Sequence, residues 1–228
     1  MGSSRSKAHE VLDEFRAVVL SRGQLLDAIL PPLVFLAVGA LAGAQTAMMA
    51  ALSTAGGFVL FRVLRRQSVT FALLGLAGSA VALLASLLLR RSEVFFLPDL
   101  VTQSALAAAC LVSVALRRPL VAWTSHLVRR WPRAWFWHPR VLPAYQEVTL
   151  AWGGFFLLQA FIQWTLLQQG QVAWLATASL VNGWPATVVL LALTYLYGTW
   201  RLAQLAGPSI EEYKTGTPPP WTGQLRGF

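Results

Sequence analysis

Long stretches without charge restrict what this chain can fold into. Asp, Glu, Lys and Arg are absent from four segments, which are Ala28–Phe61, Gln67–Leu89, Leu100–Leu116 and Val148–Trp200. A helix rises about 1.5 Å per residue, so about 20 apolar residues cross the roughly 30 Å hydrocarbon core of a bilayer. The segments therefore predict membrane-spanning helices.

Dividing these segments by the length that a bilayer needs predicts an all-α membrane helix bundle with six transmembrane helices. Gln67–Leu89 fits one span, whereas Val148–Trp200 is too long for one helix and fits two. The first segment is ambiguous, since it fits either one very long helix or a hairpin of two spans. With the hairpin, the predicted spans are roughly 25–42, 45–62, 69–89, 94–116, 149–168 and 182–201.

The positions of the basic residues decide between five and six spans. With six spans, 16 of the 18 Lys and Arg residues lie on the side that holds both termini, and only Arg90 and Arg91 lie on the other. Five spans with the N-terminus inside would send nine arginines outside, against the positive-inside rule. We therefore expect six spans with both termini cytoplasmic.

The composition agrees with a membrane protein. Hydrophobic residues make up 56% of the chain and charged residues 12%, against roughly 45–50% and about 25% in soluble domains. A single cysteine excludes a disulfide-stapled chain. We expect a cytoplasmic amphipathic segment at 1–24 that is not a cleaved signal peptide. A membrane domain at 25–206 and a flexible cytoplasmic tail at 207–228 are expected to follow it.

The loop between predicted spans four and five, residues 117–145, is rich in Arg and Trp and has no acidic residue. Leu120, Trp123, Leu127 and Trp131 are spaced to share one helical face, a pattern typical of a helix in the membrane interface. Alternatively, the loop is basic only because topology requires it. Because the loop is tethered to a bilayer, we expect no nucleic-acid partner. The candidate lipid or partner surface consists of Arg117, Arg118, Trp123, Arg129, Arg130, Trp131, Arg133, Trp135, Trp137 and Arg140.

Polar residues within or beside the spans are candidates for a polar path or for helix packing. Ionisable side chains in a membrane are costly and mark functional sites, although placement near a helix end also explains them. Neutral amide side chains within the spans are typical of interhelical hydrogen bonds. Alternatively, they line a polar lumen. Asn182 and Pro185 also fit the start of the last span, as a cap and a first-turn proline. The candidates are Asp27, Asp99, Gln103, Glu147, Gln159, Gln163 and Asn182.

The sequence offers no catalytic or metal-binding constellation. His9, His126 and His138 do not cluster, and Cys110 stands alone, so no ligand set has metal spacing. Motifs of phosphate-binding loops, zinc proteases and serine hydrolases are absent. We expect no enzyme activity, no catalytic residue, no cofactor and no metal.

Six short motifs follow one another in a characteristic order between about residues 25 and 205. They are Ile29-Leu30-Pro31 to Phe35, Phe61–Arg66, Phe95–Leu97, Arg117–Val121, Leu150–Phe156 and Gly183–Pro185. In these motifs the chain resembles the bacterial intracellular septation protein A family of inner-membrane proteins, and more closely an uncharacterised actinobacterial family of the same build. The longer Trp- and Pro-rich loop at 122–145 departs from the septation proteins. The resemblance implies a role in the cell envelope and division apparatus, without a defined reaction or site residues.

We therefore expect a multi-pass protein of the bacterial plasma membrane that supports septum or envelope assembly through lipid or protein contacts. The expected partners are the bilayer, with anionic lipids at the cytoplasmic face, and membrane proteins of the envelope or division apparatus. One alternative is a small-solute transporter or channel lined by the polar candidates. Another is a membrane subunit of a larger complex that binds a lipid or a cofactor.

Overall fold

The computed structural model describes residues 33–66, 70–224 and 227–228, and this part of the chain consists of helices without strands. The predicted segment at 1–24, the first residues of predicted span one and Asp27 lie outside the described residues. The helices are α1 (Leu33–Ala42), α2 (Ala44–Leu64), α3 (Thr70–Leu89), α4 (Leu97–Ala115), α5 (Leu120–Arg129), α6 (Arg133–Phe136), α7 (Leu142–Gln168), α8 (Val172–Asn182), α9 (Trp184–Leu205) and α10 (Ile210–Thr215). A short 3₁₀ helix, Ser92–Phe96, precedes α4.

Four helical stretches among the described residues are long and apolar enough to cross a membrane. They are Ala44–Leu64, Ser92–Ala115, Leu142–Gln168 and Val172–Leu205, and two shorter apolar helices are Leu33–Ala42 and Leu76–Leu89. Large hydrophobic side chains such as Val81 and Leu88 face outward along these helices, as expected of a surface covered by lipid. The all-α class is confirmed, whereas six spans and cytoplasmic termini stay predictions.

Arginines end several of these helices. Arg66, Arg90, Arg117 and Arg130 follow α2, α3, α4 and α5, and each has a positive φ between 52° and 55°. A residue in this left-handed conformation stops a helix, and a long basic side chain can extend from hydrocarbon towards water. The charges that bounded the predicted spans thus also lie where the helices end.

The segment between predicted spans five and six differs from the prediction, because most of it is helical. It forms α8, and Gly183 separates α8 from α9. Asn182 is therefore the last residue of α8, whereas Pro185 lies in the first turn of α9 as expected. The apolar sequence continues across the break, so hydropathy alone shows no boundary there.

One compact unit comprises the described residues up to Leu100 together with Phe161–Val188. Its core joins α1, α2, α3 and α8, and the rings of Phe35, Phe95 and Phe96 pack in it with centroids 5.3 to 6.3 Å apart. Aromatic packing of this kind adds to the burial of apolar area.

The second compact unit comprises Val101–Ala160 and Val189–Phe228. In this unit α4 and α7 approach closely at Gly153, where a Cβ would lie 3.1 Å from the Cβ of Cys110. In the same unit, α5, α6, the start of α7, the end of α9 and the C-terminal segment share a core. Its buried members are Ala122, Trp135, Phe136, Val141, Ala144, Tyr145, Val148, Leu202, Ile210 and Phe228.

Candidate functional site: a basic aromatic platform

The basic loop at 117–145 folds into two short helices and is not an extended connection. Pro119 and Pro132 immediately precede α5 and α6, and proline is well suited to a helix start because its missing N–H has no intrahelical partner there. Arg130 ends α5 in a left-handed conformation. We call this loop, together with residues 207–224 and 227–228 that pack on it, the platform.

Trp135 lies at the centre of the platform and not on its surface. Its side chain is 0% exposed, and its ring packs edge to face on Phe136 and Tyr145, with centroids 5.1 and 6.2 Å apart. The indole Nε1–H donates a hydrogen bond of 2.8 Å to the carbonyl of Pro208. Trp135, one of the residues of the predicted lipid or partner surface, is therefore buried within the fold.

The C-terminal residues of the platform, for which a flexible tail is predicted, contain α10 and contact the basic loop. Ser209 and Glu212 form a capping box at the start of α10, and the Glu212 carboxylate also accepts hydrogen bonds from the N–H and hydroxyl of Thr222, both at 2.9 Å. These backbone hydrogen bonds to Thr222 and Ser209 lower the pKa of Glu212 to about 2. The phenyl ring of Phe228 stacks on Tyr145 with a centroid distance of 4.4 Å.

Arginines of the platform lie over tryptophan rings. The guanidinium carbon is 4.6 Å from the ring centroid for Arg118 over Trp137, and 5.4 Å for Arg133 over Trp123. The distance is 5.0 Å for Arg129 over Trp131 and 5.5 Å for Arg140 over Trp221. Cation–π contacts of this kind hold the guanidinium groups in defined positions.

The outer face of α5 exposes two large apolar side chains beside Thr124. Leu127 is 72% exposed and Val128 82% exposed, whereas Trp123 and Trp131, predicted on the same face as Leu127, are partly buried against the protein. The predicted four-residue face is thus only partly correct, because the tryptophans turn towards their arginines and the aromatic core. Exposed arginines flank the remaining apolar face at both ends, Arg117 before α5 and Arg130 after it.

His126 is a platform residue that the sequence did not single out. Its Nδ1 donates a hydrogen bond of 2.7 Å to the Trp131 carbonyl, which can only accept, so Nε2 of the neutral ring is an acceptor. Arg133 donates its Nε–H to this Nε2 over 3.1 Å. His126 therefore holds the same guanidinium that lies over Trp123.

Asp99 and Gln163, two of the predicted polar candidates, meet in the first compact unit. The Asp99 carboxylate accepts hydrogen bonds from Gln163 Nε2 at 2.6 Å and from Ser179 Oγ at 3.1 Å. Gln163 is 2% exposed, and its Oε1 has no hydrogen-bond partner in the described part of the chain. Asp99 also lies in the first turn of α4, where the helix dipole favours a carboxylate.

Glu147 forms a separate ionic cluster in the second unit. It pairs with Arg201 through two short contacts, Nε to Oε2 at 2.8 Å and Nη2 to Oε1 at 2.9 Å, and accepts a hydrogen bond from the Tyr197 hydroxyl at 2.7 Å. A bidentate pair of this kind has defined geometry. Its groups are engaged with one another, which favours a structural role for Glu147.

The other polar candidates occupy separate helices. Gln103 lies in α4, and its Oε1 is buried without a hydrogen-bond partner among the described residues. Gln159 is buried in α7, and Asn182 ends α8. In the described ranges, no three residues of the types His, Cys, Asp and Glu come together in a way that could hold a metal ion.

A protein-family model matches residues 21–202 of the chain, and its description reads protein of unknown function (DUF3159). No curated protein and no solved structure matches the chain. The match confirms a resemblance to an uncharacterised family, whereas similarity to the septation protein A family stays a prediction.

Proposed function

The chain belongs to DUF3159, a family of proteins of unknown function, and we propose that it is a non-enzymatic protein of the bacterial plasma membrane. In this proposal the protein supports septum or envelope assembly, and the platform is its cytoplasmic contact surface for anionic lipids and for membrane proteins of the envelope. The proposal draws on the residues of the platform and on the resemblance to septation proteins.

The observation that carries the proposal is the outer face of α5. Leu127 and Val128 are large apolar side chains exposed between Arg117 and Arg130. Burying such a side chain in an apolar phase contributes about 1.5–3 kcal/mol, and each basic residue near an anionic membrane adds about 1 kcal/mol. A short helix with these two properties fits the headgroup region of a bilayer.

Insertion of α5 into a bilayer is testable with an environment-sensitive label. The single native thiol, Cys110, is buried, so Leu127→Cys can be labelled with a nitrobenzoxadiazole dye in the full chain and reconstituted into vesicles. We expect a blue-shifted emission at position 127 and quenching by lipids brominated on their acyl chains. Thr217→Cys in the exposed turn after α10 is the control and should keep an aqueous emission. Aqueous emission from both positions would exclude insertion of α5.

Contacts with envelope proteins require a second experiment. Crosslinking in living cells through a photoreactive amino acid at position 130, which is exposed, followed by purification, should recover membrane proteins of envelope synthesis or division. The matched control carries the same amino acid at Leu88, on the outer side of α3, where lipid contact is expected. Recovery of bulk lipid alone from both positions would contradict the assembly role.

The cluster of Asp99, Gln163 and Ser179 favours a second candidate function, a transporter or channel for a small solute. Its three polar side chains are hydrogen-bonded within stretches apolar enough to cross a membrane, and ionisable residues in such segments often line transport pathways. Flux of protons or sodium ions through vesicles containing the full chain, abolished by Asp99→Asn, would support this candidate. Vesicles as tight as protein-free ones would exclude these ions as its substrates.

A further inference from the structure

A continuous set of contacts joins two arginines through two indoles on the platform. Arg118 lies over Trp137, Trp137 packs on Trp123 with a centroid distance of 6.0 Å, and Arg133 lies over Trp123. His126 completes the set through its hydrogen bond with Arg133. We call these five residues the guanidinium–indole cluster.

We propose that the guanidinium–indole cluster binds the phosphate group of an anionic lipid headgroup. This inference rests on the proposed function, because it assigns a specific site to the membrane contact of the platform. The ligand chemistry is a phosphate ester, held by the N–H groups of Arg118 and Arg133.

The cluster presents its arginines in a form suited to phosphate. A guanidinium group that lies over an indole makes a cation–π contact and still has N–H groups for hydrogen bonds with an anion. Arg133 uses its Nε–H for His126, and its two terminal nitrogens make no hydrogen bond with the described residues. Because the guanidinium groups are already held in place, less conformational entropy is lost when an anion binds.

The electrostatic surroundings favour an anion. Arg118 and Arg133 are exposed, and within the described ranges neither forms an ion pair with a carboxylate. Phosphate oxygens accept charge-assisted hydrogen bonds from guanidinium groups, often from two N–H groups at once.

The position of the cluster favours a lipid over free phosphate. Trp123 lies on α5 three residues after Leu120 and four before the exposed Leu127, so its indole borders the apolar face proposed to enter the bilayer. Indoles prefer the depth at which headgroup and acyl chain meet. A phosphate bound beside them would lie at headgroup level.

Lipid binding by the full chain in detergent can be measured by native mass spectrometry with added phosphatidylglycerol. The double variant Arg118→Gln/Arg133→Gln should bind about tenfold more weakly, the effect of losing charge-assisted hydrogen bonds. Arg66→Gln/Arg90→Gln is the matched control, because it removes the same charge from exposed arginines that lie outside the platform and over no aromatic ring among the described residues. The control should change affinity less than about twofold.

The outcomes separate the inference from the proposed function. An equal loss of lipid affinity in both double variants would show diffuse attraction to positive charge. This result would overturn the proposed binding site but would not contradict the membrane contact of α5. No loss in either variant, together with aqueous emission from labelled Leu127→Cys, would overturn both. Tighter binding of inorganic phosphate than of phosphatidylglycerol would assign the cluster to a free anion. This result would overturn the proposal that its ligand is a lipid.

A lysine variant distinguishes loss of the binding site from misfolding of the protein. Arg118→Lys/Arg133→Lys keeps the charge but loses the planar donor geometry, so we expect it to show most of the affinity loss while its thermal unfolding matches that of the native chain. Full affinity in the lysine variant would show that charge alone suffices and would overturn the site.

Discussion

A single glycine makes room for Phe228 in the platform. A Cβ at position 198 would collide with the Phe228 ring, which lies between Gly198 and Tyr145. We expect Gly198→Ala to displace the ring and loosen the C-terminal segment, because overpacking at a tight contact costs about 1–3 kcal/mol. Trypsin cleavage after the exposed Lys214 should become several-fold faster.

Gly154 provides the control for this prediction. It is a helical glycine in α7 whose Cβ would meet nothing within 4 Å, so Gly154→Ala should leave the cleavage rate unchanged. Gly154→Ala should raise the free energy of unfolding by about 0.5–1 kcal/mol, because alanine is favoured over glycine within a helix. Native cleavage kinetics in Gly198→Ala would show that Phe228 does not restrain the segment.

The Glu212 carboxylate makes the fold of the C-terminal segment dependent on pH. Backbone hydrogen bonds lower its pKa to about 2 from the ordinary value of 4.5. A carboxyl group with a lowered pKa stabilises the folded state fully above the ordinary value and loses this effect as the pH falls towards about 2. A dye on Thr217→Cys should therefore report release of the segment between these two pH values.

Two neighbouring substitutions separate the hydrogen bonds of Glu212 from its charge. Glu212→Gln should release the segment partly at pH 7 and flatten the pH response of the dye. Glu211→Gln, which changes the same charge in the same turn of α10, should keep the native response. The same pH response in both variants would contradict the role of Glu212.

At the scale of the element, the packing of α4 on α7 depends on one of two adjacent glycines. A Cβ at Gly153 would lie 3.1 Å from the Cβ of Cys110, whereas a Cβ at Gly154 would meet nothing within 4 Å. Gly153→Leu should therefore push the helices apart and lower the free energy of unfolding by about 1–3 kcal/mol. Gly154→Leu should not lower it. Thermal unfolding of both variants in one detergent makes the comparison, and equal midpoints would refute it.

Helix positions in the described chain could largely be predicted from charge. Arg90 and Arg117 follow α3 and α4 within a residue or two of the predicted span ends, because a charged residue at a hydrocarbon boundary is costly to bury. The break at Gly183 could not be predicted, since apolar residues continue on both sides of it. Hydropathy indicates which segments are apolar enough to lie in a membrane. It does not indicate a local break within such a helix.

The fold of the platform was less accessible from the sequence. The spacing of Ser209 and Glu212 is a readable capping box, and it was the local signal that the C-terminal segment contains a helix. The stacking of Phe228 on Tyr145 joins residues 83 positions apart. Contacts of such long range leave no periodic pattern. For this reason the local sequence does not indicate that Trp135 belongs to the core.

At the scale of the whole molecule, two features predicted as independent form one structure. The basic loop and the C-terminal segment were expected as a membrane contact and a flexible tail, yet Trp135 and Arg140 of the loop contact Pro208 and Trp221 of the segment. Part of the aromatic area of the candidate surface is therefore used within the fold, as the buried Trp135 shows. The arginines that remain exposed keep the basic character on which the lipid proposal depends.

The orientation of the chain is the remaining prediction at this scale. Because 16 of 18 basic residues fall on one side in the six-span arrangement, we expect Ser4→Cys and Thr217→Cys to be labelled by a membrane-impermeant maleimide only in inverted vesicles. Ser92→Cys, next to Arg90 and Arg91, should be labelled in intact spheroplasts. Labelling of positions 4 and 217 from opposite sides would require an odd number of spans. Labelling of position 217 from outside would place the platform away from the anionic cytoplasmic leaflet and remove the electrostatic basis of the lipid proposal.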